Sequence, residues 1–443
     1  MKLTLVCLVV VAVAMTTVSA TDGHDELLLR EAVDTIRESL RRTGQAGEMA
    51  LGDMCAGRRC CKLSETEECL LDALPEGQST LVLPGGNTSC IFGEQGSGPF
   101  AFQVVPGAKD KVMLYFQGGG ACWDKMSTDQ GLCSTTAVPS ALEGIFDRDP
   151  KANPQYADWT VLIALYCSGD MFVGDVTRPY ASKEGFPVTQ AGQANTQAVL
   201  AYLRAQQQAG KLAHRISELS VMGCSAGALA AQAWATYLLH ELRPVRASIV
   251  SDSYAGVFPP KSVSTLVSGF GTCGSALLTP EQNRLCFANQ LTIEDLNNRH
   301  LSASPDVAYT FVQSKTDSVQ RSFYTAVALS IGQNPILSAN AFYQQTSDLF
   351  ASYNHHPNFL AYLVDGTQHC FTPLPLYFTA DPTSAQHASS EQLSLPSLAQ
   401  WVGEMPLQPR QSLSSVCVGG DDPKSVTGCS PQVVPKTFIV PSD

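Results

Sequence analysis

Charge is what this chain has little of. Only 15% of its 443 residues are Asp, Glu, Lys or Arg, against about 25% in an average soluble domain. Acidic residues outnumber basic ones, 40 to 28, for a net charge of −12. That argues against a nucleic-acid partner, because gripping a polyanion draws on excess Lys and Arg. An acidic substrate needs a local basic groove. Beyond the N-terminus no apolar run reaches membrane-spanning length, so no membrane span is expected. No internal repeat and no long low-complexity tract is present. No His stands at finger spacing from Cys55, Cys60, Cys61 and Cys69, which disfavours zinc there. Neither Gly-rich stretch has the spacing of a dinucleotide-binding turn. No metal and no cofactor is therefore expected.

Hydrophobic residues make up 44% of the chain, enough for a large core in one large domain or two small ones. Met1-Lys2, the apolar run Leu3 to Met15 and Val18-Ser19-Ala20 read as a secretory signal peptide cleaved after Ala20. Of 15 cysteines, Cys7 falls in this leader and the rest are even in number, as a disulfide-bonded secreted protein requires. Asn87-Thr88-Ser89 is an N-glycosylation sequon, expected on a surface loop.

Residues 21–80 read as an N-terminal extension, either strapped onto the main domain or removable. It holds an amphipathic helix over Glu26 to Leu40, then the Cys-dense segment 55–69. From 81 to 443 strands alternate with helices, which predicts an α/β domain with a mostly parallel sheet covered by helices on both faces. Phe100 to Val105 and Lys111 to Phe116 flank Pro106-Gly107 and read as a hairpin. Asp158 to Tyr166, Arg246 to Ser251, Ala308 to Gln313 and Phe359 to Val364 read as further strands. Gln190 to Ala209, Pro280 to Gln290 and Asn340 to Leu349 read as helices.

The chain is organised around Gly223-Cys224-Ser225-Ala226-Gly227. An apolar strand, Ile216 to Met222, runs into it, and a helical stretch, Ala228 to Leu242, leaves it. Strand, sharp turn and helix are the setting of a nucleophile elbow. Ser225 is the candidate nucleophile. Cys224 is expected to point into the core.

A serine hydroxyl needs a base, and the base needs a third group to orient it. In α/β-hydrolase topology these follow in the order Ser, acid, His, each after a strand. Of eight His, His369 is the one that the topology selects, because it follows Phe359 to Val364 across Asp365-Gly366-Thr367. Two acids compete. Asp317 follows the strand Ala308 to Gln313 and is preferred. Asp252 follows the earlier strand, where an Asp-Ser pair can instead hold loop amides. Asp365, beside His369, is a third candidate.

The tetrahedral intermediate needs fixed N–H donors. One is the amide of Ala226, the residue after the nucleophile. Gln117-Gly118-Gly119-Gly120-Ala121-Cys122-Trp123 follows the strand Lys111 to Phe116. Its amides at Gly119 and Gly120 are the other candidates. Cys122 and Cys133 are the most plausible local disulfide, bracing this loop.

Together these stretches resemble the pectin acetylesterase family, which also contains the Notum-type protein deacylases. The resemblance rests on Tyr115 to Trp123, Tyr166-Cys167-Ser168-Gly169-Asp170, the Ser225 elbow, Ser251-Asp252-Ser253 and Gly366-Thr367-Gln368-His369-Cys370. It spans roughly residues 85–375. It implies an α/β-hydrolase-like fold and carboxylic ester hydrolysis by Ser225, Asp317 and His369, with the amides of Gly119, Gly120 and Ala226 as oxyanion donors. The third glycine and Ala121 depart from the Notum-type loop, which has aromatics after two glycines.

The expected function is a secreted serine esterase that removes O-acetyl groups from a cell-wall or other glycan, acting as a monomer. A deacylase of longer acyl chains on protein or lipid is the alternative within catalysis. A secreted glycan-binding protein on a hydrolase fold is the alternative outside it.

Overall fold

The computed structural model describes residues 23–44, 54–380, 396–405, 412–413, 415–417 and 438–439. The expected signal peptide lies outside the described residues. Ten strands form one sheet in the order β1-β2-β3-β5-β4-β8-β9-β10-β11-β13. They are β1 (Cys60–Lys62), β2 (Thr80–Leu83), β3 (Phe102–Val105), β4 (Ala108–Phe116), β5 (Trp159–Ala164), β8 (Glu218–Cys224), β9 (Arg246–Asp252), β10 (Ala308–Ser314), β11 (Phe359–Val364) and β13 (Val416–Cys417). Only the β3 pairings, to β2 and β5, are antiparallel. Two small antiparallel pairs stand apart: β6 (Val176–Ala181) with β7 (Pro187–Gln190), and β12 (Ser412–Leu413) with β14 (Phe438–Ile439).

The helices are α1 (Gly23–Arg42), α2 (Gly93–Ser97), α3 (Lys125–Asp129), α4 (Gly192–Gln208), α5 (Ala226–Leu242), α6 (Ser262–Gly269), α7 (Pro280–Phe287), α8 (Ile293–Ala303), α9 (Ser318–Ser330), α10 (Ala339–Tyr353), α11 (Leu376–Thr379) and α12 (Leu398–Glu404). Strands β8, β10 and β11 are buried at every position. Side chains alternate between the two faces of a strand, so both faces of the central sheet are covered. This is the expected α/β architecture. Parallel strands also end together, so the loops after β4, β8, β9, β10 and β11 meet at one edge.

One local expectation is corrected. β3 and β4 are not a hairpin, because β5 lies between them, antiparallel to β3 and parallel to β4. The turn at Pro106-Gly107 is real, but it steps over a strand. Gly107 packs so closely on β5 that an ideal Cβ would stand 2.3 Å from the Asp158 carbonyl.

The N-terminal segment joins this architecture. β1 pairs parallel with β2 at the sheet edge. Helix α1 buries Ala32, Val33, Ile36 and Leu40 and packs along α9. The four cysteines considered for zinc pair as Cys55–Cys60 and Cys61–Cys69. Cys122–Cys133 forms as expected, and Cys90–Cys167 and Cys273–Cys286 form as well.

Candidate active site

Ser225 sits between β8 and α5 with φ +58° and ψ −121°, a region that side chains other than glycine rarely enter. The surroundings force it there. β8 lies beside β4 with Gly223 opposite Phe116. A Cβ on Gly223 would meet the Gly227 carbonyl oxygen at 2.1 Å, and one on Gly227 would meet the Phe116 oxygen at 1.9 Å. Glycine at both positions is what lets the turn close. Ala226 opens α5, so its N–H has no partner within the helix and points from the positive end of the helix dipole.

Asp317 ends the loop after β10 and caps α9. Its Oδ1 accepts the amides of Val319 and Gln320 at 3.0 and 2.9 Å. Its Oδ2 accepts Gln320 Nε2 at 2.9 Å and lies 2.8 Å from His369 Nδ1. Both residues are buried. With Nδ1 engaged, Nε2 is the ring nitrogen left for a substrate-side proton, and it has no hydrogen-bond partner.

The competing acids are engaged elsewhere. Asp252 Oδ2 accepts the amides of Phe371 and Thr372 at 2.9 and 2.7 Å and the Thr372 hydroxyl at 2.7 Å. Its Oδ1 accepts the Ser253 hydroxyl, whose oxygen accepts the Cys370 amide at 2.8 Å. Burial pushes the Asp252 carboxyl up, and the hydrogen bonds from Thr372, Phe371 and Ser253 oppose it. Asp252 therefore holds the backbone that carries His369. Its own carbonyl accepts the Ser225 amide at 2.9 Å. Asp365 pairs with the fully buried Lys315 at 2.7 Å. That ion pair, with the Thr316 hydroxyl on the Gly366 carbonyl at 2.7 Å, ties the acid loop to the His loop. From α1, Arg42 donates to the His369 carbonyl at 3.3 Å.

After β4 the Gly loop takes the backbone across the mouth of the sheet. Gly119 has φ +151° and Gly120 φ +70°. A Cβ on either would strike Tyr166 or the Leu132 carbonyl, at 2.2 and 2.1 Å. The loop is held by Ala121 N–H on Leu132 O and Cys122 N–H on Gly169 O. Neither Gly119 nor Gly120 is among the backbone donors in these loop bonds. The Tyr166 to Asp170 stretch is the brace behind them. Buried Asp170 accepts the Ser168 hydroxyl and the amides of Phe172 and Gly192 at 2.6, 3.1 and 2.8 Å.

Beside Ser225 and Gly120 lies an apolar cleft walled by Trp123, Met171, Leu229, Phe258, Phe270 and Phe323, among others. It is narrow, a cavity of about 20 Å³, room for one small group. Arg178 joins two of its walls, donating to the carbonyls of Gly269 at the end of α6 and Trp123 in the Gly loop.

Sequence reasoning missed the cleft walls from α6 and α9. Their apolar residues look like ordinary core, and only the fold turns them toward Ser225. It also missed the partner of Cys224. That residue is buried as expected, but it forms a disulfide with Cys370. The adjacency of both cysteines to site residues, at 224–225 and 369–370, was the available signal. A ring nitrogen of His369 and the two sulfurs lie within 4.8 Å of one another. The disulfide uses both sulfurs, and Nδ1 faces Asp317, so the group does not fit a metal.

Residues 87–275 match the family profile described as pectinacetylesterase. Pectin acetylesterase 5 of Arabidopsis thaliana is 27% identical over 153 residues, 33% of this chain and 34% of that protein. The match thus spans about a third of that relative's length. The solved structure of the Wnt deacylase Notum from Drosophila is 16% identical, covers 67% of this chain and 86% of its own, and has a TM-score of 0.48. The resemblance to the pectin acetylesterase family holds over the matched segment.

Proposed function

From a chain whose residues 87–275 match the pectinacetylesterase family, we propose a secreted serine carboxylesterase that removes O-acetyl groups from a glycan. The observation that carries the reading is the 2.8 Å contact between buried Asp317 and His369 Nδ1, which leaves Nε2 without a partner. In this reading His369 Nε2 takes the Ser225 proton as Oγ attacks the ester carbonyl. The amides of Gly119, Gly120 and Ala226 receive the oxyanion, each such donor contributing about 3 kcal/mol. His369 returns the proton to the leaving alcohol. Water then attacks the acetyl-enzyme by the same route, and Asp317 holds the imidazole tautomer throughout.

The narrow cleft supports acetyl over a long chain, since its aromatic walls must move before more carbons enter. Its apolar lining keeps the longer-chain deacylase as the second reading. Residues 81–443 form the catalytic domain in this proposal, with 21–80 as an extension folded onto it and the chain acting as a monomer. Disulfides among the described residues support export.

The test is hydrolysis of p-nitrophenyl esters from acetyl to palmitoyl by the mature protein beside Ser225→Ala. A peak at acetyl that vanishes in the variant supports the deacetylase. A peak at octanoyl or longer selects the second reading. No turnover and no labelling by a fluorophosphonate sinks the catalytic reading and leaves the glycan-binding protein.

A further inference from the structure

Nucleophile and base come from distant parts of the fold. β8 carries Ser225 and β11 carries the His369 loop, with β9 and β10 between them. Three strand spacings of about 4.8 Å put the two strand ends roughly 14 Å apart. The loop after β11 must therefore reach back across the sheet edge to serve Ser225.

Hydrogen bonds hold it at several strands, and at its far end the Thr372 hydroxyl lies 3.0 Å from the Tyr115 hydroxyl on β4, beyond β8. Lys315 and Thr316 hold it at β10. Asp252 and Ser253 hold Cys370, Phe371 and Thr372 at β9. Among the described residues no hydrogen bond joins residues 365–372 to β8 or the elbow. The direct link is the Cys224–Cys370 disulfide, whose Cα atoms are 5.7 Å apart across 146 residues of sequence. Cys224 precedes Ser225 and Cys370 follows His369. One covalent bridge thus joins the residue before the nucleophile to the residue after the base. Cys370 has φ +65°, an uncommon backbone for a side chain of this kind, and it turns the chain directly after His369. Both cysteines are buried.

We propose that Cys224–Cys370 is a positioning device: it sets the reach of His369 toward Ser225. The inference rests on the roles given to those two residues above. A bridge with only a stabilising role would set the melting temperature and leave turnover per folded molecule alone. A positioning bridge sets turnover itself, because a misplacement of about 1 Å can cost about 100-fold.

The bridge is first located by peptide mapping without reductant, where free thiols at both positions overturn the proposal. The double variant Cys224→Ala/Cys370→Ala is then compared with the parent and with Cys55→Ala/Cys60→Ala, a pair in the N-terminal segment. The expected result is kcat per folded molecule down about 10- to 100-fold with KM little changed. Fluorophosphonate labelling of Ser225 should slow in step, and the N-terminal control should turn over like the parent. A folded double variant with parental kcat overturns the proposal. If the double variant does not fold, the native protein is reduced in the cold with a dithiol. The S–S bond breaks, the dithiol supplies two electrons and two protons and leaves as its own cyclic disulfide. Activity should fall as the Cys224 and Cys370 thiols appear while circular dichroism is unchanged. Activity that survives their appearance overturns it. Failure of the parent to label with fluorophosphonate instead removes the Ser225 reading, and the two failures are separable.

Discussion

Asp252 Oδ2 accepts both the amide and the hydroxyl of Thr372, each at 2.7 Å, although 120 residues separate the two in sequence. The same Asp252 offers its main-chain carbonyl to the amide of Ser225. One residue therefore fixes the elbow with its backbone and the His loop with its side chain. Asp317 meets the His369 ring itself. The two buried acids act on different parts of the same loop.

They are expected to fail differently. Asp317→Asn keeps an oxygen to cap α9 but presents the wrong partner to His369 Nδ1, so kcat should drop by about 10⁴ with the fold intact. Asp252→Ala strands the amides of Phe371 and Thr372, each worth about 1–3 kcal/mol when buried unpaired. It should lower the urea midpoint strongly as well as activity. Urea titration beside kcat separates the two, and equal stability losses would contradict the assignment.

Gly227→Ala places a methyl group 1.9 Å from the Phe116 carbonyl oxygen. Backbone on both sides cannot give way without moving Ser225. We expect a loss of at least about 2 kcal/mol and no measurable turnover in the folded fraction. A variant with parental melting temperature would show that the elbow is looser than this packing.

Phe270→Ala removes one wall of the cleft beside Ser225. Each newly buried methylene gains about 0.8 kcal/mol. A hexanoyl ester carries four more methylenes than an acetyl ester, so its relative kcat/KM should rise by about 200-fold at most. The cost is about 3 kcal/mol of stability, because Phe270 is fully buried. An unchanged ratio of hexanoyl to acetyl turnover would place the acyl group elsewhere.

His300 is buried on α8 against Thr236 and stacked on Tyr309. Burial, helped by the charge of Arg299, pushes its pKa down to about 4 from 6.5. The folded chain thus holds it neutral while the unfolded chain takes a proton below about pH 6.5. Its contribution is fully present above that pH and is lost as pH falls toward 4, up to about 3 kcal/mol. Urea midpoints at pH 7 and 4.5 should converge in His300→Gln. Parallel pH dependence in parent and variant would refute this.

Legibility in the sequence followed the range of the interaction. β11 spans the residues expected, and α4, α5 and β10 fall within a few residues of the periodic patterns that announce them. Gly223 and Gly227 were visible because a tight turn leaves a composition. The order of strands was not, since Pro106-Gly107 reads alike whether β3 and β4 pair or β5 comes between them. Asp317 and Asp252 both follow strands, and only the placement of Thr372 and the His369 ring distinguishes their partners. The bridge from Cys224 to Cys370 joins positions 146 apart, and only the adjacency of each cysteine to a candidate site residue hints at it.

Of the four tryptophans, Trp159, Trp234 and Trp401 are fully buried in the core. Trp123 alone among them lines the cleft beside Ser225, its indole N–H on the Ser330 hydroxyl at 3.1 Å. The protein therefore carries a built-in optical reporter. A ligand entering the cleft changes the polarity around one indole and leaves the other three as a constant background. Intrinsic emission can then follow occupancy of the unlabelled protein in real time, even in a Ser225→Ala form that turns nothing over.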